Sequence, residues 1–227
     1  MKLTIIIPSY NEAPTLPQII SKILKTLKNY QKELIVVDDG STDNTAGVML
    51  RFAGDKRIKF IINKKNLGKG ASIIRALAIA KGDIIAVQDA DLEYEPQDLP
   101  RLIDLFKDKN VKVVYGSRVL GKNPVSHWTF NLGGRFVTFI TNLLFRTQIT
   151  DEPTGYKLFR KDLLIRLKLK SKRFEFCPEV TAKLAKNNIK IHELPIHYHP
   201  RPVSEKKIKW YDGLAAIFYL IKYRLVD

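Results

Sequence analysis

The sequence holds one cysteine, Cys177, which excludes an internal disulfide framework. No stretch approaches the ~20 continuous apolar residues that a spanning helix needs. The amino-terminal residues show neither a long apolar signal region nor a small-residue cleavage site, so a reducing, cytoplasmic setting is expected, with the protein soluble or peripheral to a membrane. Internal repeats, low-complexity linkers and a clear domain boundary are also missing, and a single domain over 1–227 is expected. Acidic residues are scarce in one region only. Residues 1–100 carry 14 basic and 12 acidic side chains, a balance of +2, whereas 101–227 carry 25 and 11, a balance of +14. A cationic half calls for an anionic partner such as nucleic acid, an acidic membrane surface or a phosphorylated substrate.

What is present reads as an ordinary globular chain: 227 residues, 45% apolar and 27% charged, enough to bury a sizeable core. Apolar, β-branched runs at 3–7, 33–37, 58–62, 84–88 and 111–115 predict strands. Between them, Ile19, Ile20, Ile23, Leu24 and Leu27 recur at helical spacing, and helices are predicted near 70–80 and 99–106. Strands alternating with helices imply βαβ units and an α/β fold: a mainly parallel, Rossmann-like sheet with helices on both faces. In such sheets ligands bind beyond the carboxyl ends of the strands. After Gly116 the pattern changes. Helices are predicted over 128–145, 178–186 and 213–226, a short strand over 156–159 and an extended segment over 189–199.

The predicted strand ends share a kind of residue: Tyr10-Asn11-Glu12 after the first strand, Asp38-Asp39 after the second, Asp89-Ala90-Asp91 after the fourth. Crowded carboxylates repel one another unless a cation lies among them or donors satisfy them. Asp89, Asp91 and Glu93, at i, i+2 and i+4, offer hard oxygen ligands suited to Mg²⁺ or Mn²⁺ bridging a diphosphate. A solvated turn is the alternative for an isolated Asp-x-Asp.

The context is specific. Thr4-Ile-Ile-Ile-Pro-Ser-Tyr-Asn-Glu12, Val36-Val-Asp-Asp-Gly-Ser-Thr-Asp43, Asn66-Leu-Gly-Lys-Gly70, Gly82-Asp83 and Gln88-Asp-Ala-Asp91 resemble, in order and spacing, the inverting family 2 glycosyltransferases of GT-A fold. Gly116-Ser-Arg118, Asp151-Glu-Pro-Thr-Gly-Tyr-Lys157 and Glu205-Lys-Lys-Ile-Lys-Trp-Tyr-Asp-Gly213 resemble more narrowly the subgroup that glycosylates polyprenyl phosphates, the dolichol-phosphate mannose and glucose synthases. The resemblance implies a nucleotide-sugar-binding half, 1–120, and an acceptor-binding, membrane-facing half, 121–227. Pro8, Tyr10 and Glu12 would hold the nucleoside, Asp39 would accept from a base N–H, and Lys69, Asp89 and Ala90 would lie along the nucleotide. Asp91 would ligate the metal, assisted by Asp89 and by position 93, where the mannose synthases often carry Gln and this chain has Glu93.

The resemblance further implies transfer of mannose or glucose from GDP-mannose or UDP-glucose to a polyprenyl phosphate at the cytoplasmic membrane face. Asp91, Arg118 and Asp151 are the candidate catalytic residues. A lipid monophosphate is already anionic at neutral pH, because its second pKa is about 6, so it needs no general base. It needs cations, and Arg118, Arg135, Arg201, Lys206 and Lys207 are the candidates. A hydroxyl acceptor, as in polysaccharide or glycolipid synthesis, would instead require a carboxylate base, Asp151 or Glu152. A non-enzymatic nucleic-acid or membrane binder would have no use for the acidic cluster, so nucleic acid is not an expected partner. Members of the subgroup often continue into carboxy-terminal membrane spans, which makes a separate membrane protein a possible partner.

Three features remain. Trp128, Phe130, Phe136, Val137, Phe139, Ile140, Leu143 and Leu144 can share one side of a helix that is either core or an interfacial amphipathic helix, and 213–226 divides the same way. His197 and His199 lack further ligands at zinc spacing. The basic run Lys157 to Arg173 reads as a solvated face.

Overall fold

Runs of β-branched residues buried on both faces form the centre of the sheet, as they do where helices cover a parallel sheet from each side. The computed structural model describes residues 1–124, 128–202 and 210–226. In it β1 (Leu3–Ser9) lies between β2 (Lys32–Asp38) and β4 (Ile84–Val87), and β3 (Ile58–Ile62) flanks β2. Pairing of β1 with β4 ends at Ile6. Ile6 O accepts from Gln88 N on that side and Ser9 O from Asp39 N on the other, so the missing N–H of Pro8 faces a position beyond the end of β4 and removes no ladder bond.

The remaining strands are β5 (Val113–Ser117), β6 (Lys157–Arg160) and β7 (Ile191–Pro195), and the sheet order is β3-β2-β1-β4-β6-β5-β7. Only β6 runs antiparallel to its neighbours, inserted between β4 and β5. This placement decides the site. Parallel strands deliver the loops that follow them to one edge of the sheet, and an antiparallel strand delivers to that same edge the loop that precedes it. Asp151–Tyr156 thus arrives beside Gln88–Asp91 and Arg118.

Alternate residues of the central strands enter separate cores. Ile5, Ile7, Leu34 and Val36 pack with α1 (Leu16–Thr26), α2 (Thr45–Met49) and α4 (Leu99–Asp104); Ile6, Ile35 and Val37 pack with α3 (Lys69–Ile79), α6 (Lys161–Arg166) and α7 (Phe176–Lys186). The α/β expectation holds, with helices on both faces. The short α2 and α6 have too few turns to show periodicity and were not legible in the sequence.

One side-chain expectation changes, and one open alternative narrows. The run from Lys157 to Arg173 is not uniformly a solvated face: Lys157 is 1% exposed, Arg160 donates to Phe106 O, Asp108 O and Val111 O, and Lys161 Nζ donates to Ala80 O at the end of α3. These cations satisfy carbonyls left over where helices and turns end. The predicted helix at 128–145 is α5 (Trp128–Phe145), but its buried residues are Val137, Thr138 and Thr141. Trp128, Leu132, Phe136, Phe139 and Leu143 are exposed, and of the predicted apolar stripe only Val137 belongs to the core. The last helix, α8 (Trp210–Leu225), packs against α5 and exposes Tyr211, Leu214, Phe218, Ile221 and Leu225. No helix among the described residues is long and apolar enough to cross a membrane.

Candidate active site

Four strand ends and the loop before β6 converge on one crevice. Its acidic wall follows β4, where Asp89 and Asp91 flank the buried Ala90. Lys69, at the start of α3, reaches Asp89 Oδ1 at 2.5 Å. Burial alone would lower the Lys69 pKa, but the Asp89 carboxylate outweighs it and the ammonium is held above its ordinary value. The backbone around Lys69 is shaped by Gly68, whose φ of +99° lies in the region that favours glycine. Asp39 secures this loop: its carboxylate accepts from Asn63 Nδ2 at 2.6 Å, Leu67 N at 3.0 Å and Gly68 N at 2.7 Å. Asp39 therefore organises the loop that carries Lys69. Pro8 and Tyr10 line the end of β1, both half-buried.

Glu12, buried, accepts from Thr15 Oγ1 at 2.5 Å and from Arg201 at 2.7 Å. Arg201 Nε also donates to Asp91 O at 3.2 Å, and its guanidinium lies 3.6 Å from Asp91 Oδ2. The Arg201 N–H donates to Glu93 Oε1 at 2.9 Å. Arg201, expected on an acceptor phosphate, thus sits among the carboxylates and joins three of them.

On the opposite wall Arg118 follows β5. Its Nε and one terminal nitrogen reach the two oxygens of Asp151 at 2.8 and 2.7 Å, and its own N–H donates to Asp151 Oδ2 at 2.8 Å. This is the two-pronged geometry in which guanidinium and carboxylate fix one another. The Tyr198 ring lies 5.3 Å beneath the guanidinium. Both oxygens of Asp151 are thereby engaged. Glu152, next in sequence, is fully buried, with the Thr181 hydroxyl and the Lys157 ammonium as its polar surroundings. Burial pushes its carboxyl up, opposed by the buried Lys157 ammonium.

Side chains that sequence reasoning passed over hold these walls together. Tyr94 packs its ring 5.1 Å from Tyr156 and 5.4 Å from Tyr198, and its hydroxyl accepts from Gly155 N at 2.8 Å. Tyr156 donates to Gln88 Oε1. Glu193, on β7, accepts from Thr150 N and Asp151 N. Of these, Gly155 and Tyr156 in the Thr-Gly-Tyr-Lys run and Gln88 in the Gln-Asp-Ala-Asp run carried a sequence signal; Tyr94, Tyr198 and Glu193 carried none. Cys177 is half-buried, and burial pushes its thiol up, consistent with an inert residue.

The expected trio of metal ligands is not assembled. Among the described residues no three carboxylates, histidines or cysteines come together as a metal cage; Asp89 faces Lys69, Asp91 faces Arg201 and Glu93 accepts from the Arg201 backbone. Asp89 and Asp91 still fit a divalent cation. Mg²⁺ ordinarily takes one or two protein carboxylates and completes its shell with water and substrate phosphate oxygens, and Gly155 keeps room beside Asp89 that a Cβ would fill, 2.4 Å from Asp89 Oδ2. Of the remaining expected cations, Arg135 lies on the exposed side of α5 with Nε donating to Asn131 Oδ1 at 2.9 Å; Lys206 and Lys207 lie outside the described residues. A depression of 740 Å³, lined by Gly82, Asp83, Arg160 and Lys161 among others, lies at the opposite edge of the sheet. Its lining is mainly cationic, with Lys81, Lys107, Lys109, Arg160 and Lys161 beside Asp83 and Asp162, and none of the strand-end carboxylates reaches it.

Comparison with known proteins agrees with this geometry. Residues 4–168 match the model of glycosyl transferase family 2. The chain is 30% identical over 231 residues to a dolichol-phosphate mannosyltransferase of Pyrococcus furiosus, covering 98% of this chain and 64% of that protein. It is 29% identical over 243 residues to a dolichyl-phosphate beta-glucosyltransferase of Trichomonas vaginalis, covering 96% of this chain and 73% of the relative. Among solved structures, glucosyl-3-phosphoglycerate synthase of Mycobacterium tuberculosis in complex with Mn²⁺, UDP and phosphoglyceric acid superposes with a TM-score of 0.76 at 18% identity, over 100% of this chain and 79% of the other. That likeness establishes the GT-A fold.

Proposed function

Because the chain belongs to glycosyl transferase family 2, we propose that it transfers a hexose, mannose or glucose, from a nucleotide sugar such as GDP-mannose or UDP-glucose to a polyprenyl phosphate at the cytoplasmic face of a membrane. The observation that carries this reading is the Arg118–Asp151 pair, a cation fixed by a buried carboxylate opposite the Asp89–Asp91 wall. The two relatives named for dolichyl phosphate support the acceptor class.

In the transfer the bond between the anomeric carbon and the diphosphate oxygen breaks, and its electron pair leaves with the nucleoside diphosphate. An oxygen of the acceptor phosphate forms the new bond from the opposite face, which inverts the configuration. That oxygen carries no proton that must be removed. Arg118 would orient the acceptor phosphate, and its charge would offset the repulsion between two anions brought together. Lys69 would meet the diphosphate beside Asp89. Asp89 and Asp91 would hold Mg²⁺ or Mn²⁺, which when bound stabilises the charge gathering on the diphosphate. A hydroxyl acceptor needs a free base near the anomeric carbon, and neither candidate offers one: Asp151 is taken up by Arg118 and Glu152 is sealed in the core.

The surface of α5 and α8 supports the membrane part of the proposal. An ordinary surface helix turns its apolar side inward; α5 buries one valine and two threonines and exposes three aromatic residues and two leucines. Such a face, together with the cationic excess of 101–227, suits an acidic lipid surface, where each nearby Lys or Arg contributes about 1 kcal/mol.

The test uses purified protein, GDP-mannose or UDP-glucose, Mn²⁺ or Mg²⁺ and a short polyprenyl phosphate. Transfer to the lipid phosphate is expected, with Asp91→Asn and Arg118→Ala each reducing it ~100-fold or more. Transfer to a saccharide hydroxyl and never to the phosphate overturns the reading.

A further inference from the structure

The loop that carries Asp151 has no strand partner for three successive amides, and side chains from two other elements supply the acceptors. Thr150 N donates to Glu193 Oε2 at 2.8 Å and Asp151 N to Glu193 Oε1 at 3.2 Å. Glu152 N donates to Thr138 Oγ1 of α5 at 3.0 Å. The Thr150 hydroxyl is fixed in turn by Ser117 Oγ at 2.7 Å, one residue before Arg118. Glu193 pairs with Tyr115 in the register of β7 and β5, so its carboxylate rises from the sheet directly beneath the strand end that bears Arg118.

We propose that Glu193 is a positioning residue for the transfer reaction: it holds the Thr150–Asp151 backbone, and through the Asp151 carboxylate it fixes the Arg118 guanidinium. The chain of contacts is continuous, from Glu193 to the Asp151 amide, and from the Asp151 oxygens to Arg118 at 2.7 and 2.8 Å. A free arginine samples many rotamers, and its fork must be aimed before it can orient an anion. Buried amides without acceptors would pull the loop toward other partners, and displacement of a positioning group by about 1 Å can cost ~100-fold in rate. The inference rests on the proposed role of Arg118 toward the acceptor, and it predicts that Glu193 has no function once Arg118 is gone.

A double-mutant cycle tests it. Glu193→Ala is expected to lower kcat/KM for the acceptor by ~10- to 100-fold, while nucleotide binding, titrated directly, stays within about twofold of wild type. Glu193→Gln keeps one accepting oxygen and should lose less. In the Arg118→Ala background, Glu193→Ala should cause no further loss, because the two residues act as one unit. Losses that multiply in the double variant overturn the proposal, as does a Glu193→Ala variant that binds nucleotide normally and keeps wild-type acceptor kinetics. If Glu193→Ala does not fold, Glu193→Gln carries the same cycle, and the same two results overturn the proposal. The cycle is scored with whichever acceptor wild-type protein uses. Transfer to a hydroxyl compound would therefore refute the lipid-phosphate reading and still decide the role of Glu193.

Discussion

A methyl group at Gly155 would place its carbon 2.4 Å from Asp89 Oδ2 and 2.8 Å from the Tyr94 ring. Neither neighbour can give way cheaply, since Asp89 is paired with Lys69 and Tyr94 is wedged between Tyr156 and Tyr198. Gly155→Ala should therefore displace Asp89. The expected result is a fall in Mn²⁺ affinity and turnover of ~10-fold or more, the range seen when supporting groups around a metal are disturbed, with a stability loss of ~1–3 kcal/mol from overpacking. Manganese titration by electron paramagnetic resonance with nucleotide present, alongside a thermal melt, checks both. At this scale the sequence was informative about chemistry and silent about company. Asp39, Lys69, Asp89, Asp91 and Arg118 stood out because strand ends and motifs placed them. That Asp39 spends its oxygens on Asn63, Leu67 and Gly68, or that Arg201 joins Glu12 to Asp91, depends on contacts between residues far apart in the chain.

Among elements, α5 is one whose sequence reading stayed open between two alternatives. Its apolar residues fit either a core or an interface when only periodicity is considered. The loop preceding β6 settles the orientation: Thr138 meets Glu152 N and Pro153 lies 3.6 Å from where a Cβ on Gly134 would stand, so the small and hydroxylated side faces inward. Phe136 and Phe139 are left in solvent at 52% and 59% exposure. Burying one such ring in an apolar phase is worth about 1.5–3 kcal/mol. Replacing both by serine should lower binding to vesicles of mixed acidic and neutral lipid by at least ~10-fold, without lowering the melting temperature in the absence of lipid. Vesicle sedimentation and calorimetry provide the two readings. Raised salt should weaken wild-type binding as well, since screening shortens the reach of the basic residues. The strands were legible because each is a local run of β-branched residues. The insertion of β6 between β4 and β5 was not, because so short a run cannot announce its neighbours.

Over the whole molecule, Glu33 ties the strands β1, β2 and β3 to the approach to β4. Its carboxylate accepts from Thr4 Oγ1 of β1 at 2.7 Å, from Lys59 Nζ of β3 at 2.7 Å and from Lys81 N ahead of β4. Burial would raise its pKa, but the Lys59 ammonium, the Lys81 amide and the Thr4 hydroxyl together bring it below the usual carboxylate range. A carboxylate lowered in the folded state stabilises fully above its unfolded value, near ~4.3, and that stabilisation is lost as pH falls through the folded value. The melting temperature should therefore decline below about pH 4, and Glu33→Gln should start lower at neutral pH and decline less steeply. Melts across pH 3–7 decide; parallel curves for the two proteins would assign the acid sensitivity elsewhere.

The sequence by itself determined the α/β class, the strand ends at which chemistry gathers, the family resemblance and the concentration of net positive charge in residues 101–227. Each is carried by a local run, a motif or a count, and none requires knowing which distant residues touch. Tertiary structure alone decided that β6 enters the sheet antiparallel, that Asp151 is consumed by Arg118, that Glu93 turns to the Arg201 backbone and that α5 exposes its apolar residues. Those outcomes depend on pairings between residues separated by tens of positions, where burial and unsatisfied hydrogen bonds select the arrangement and local propensity has no influence.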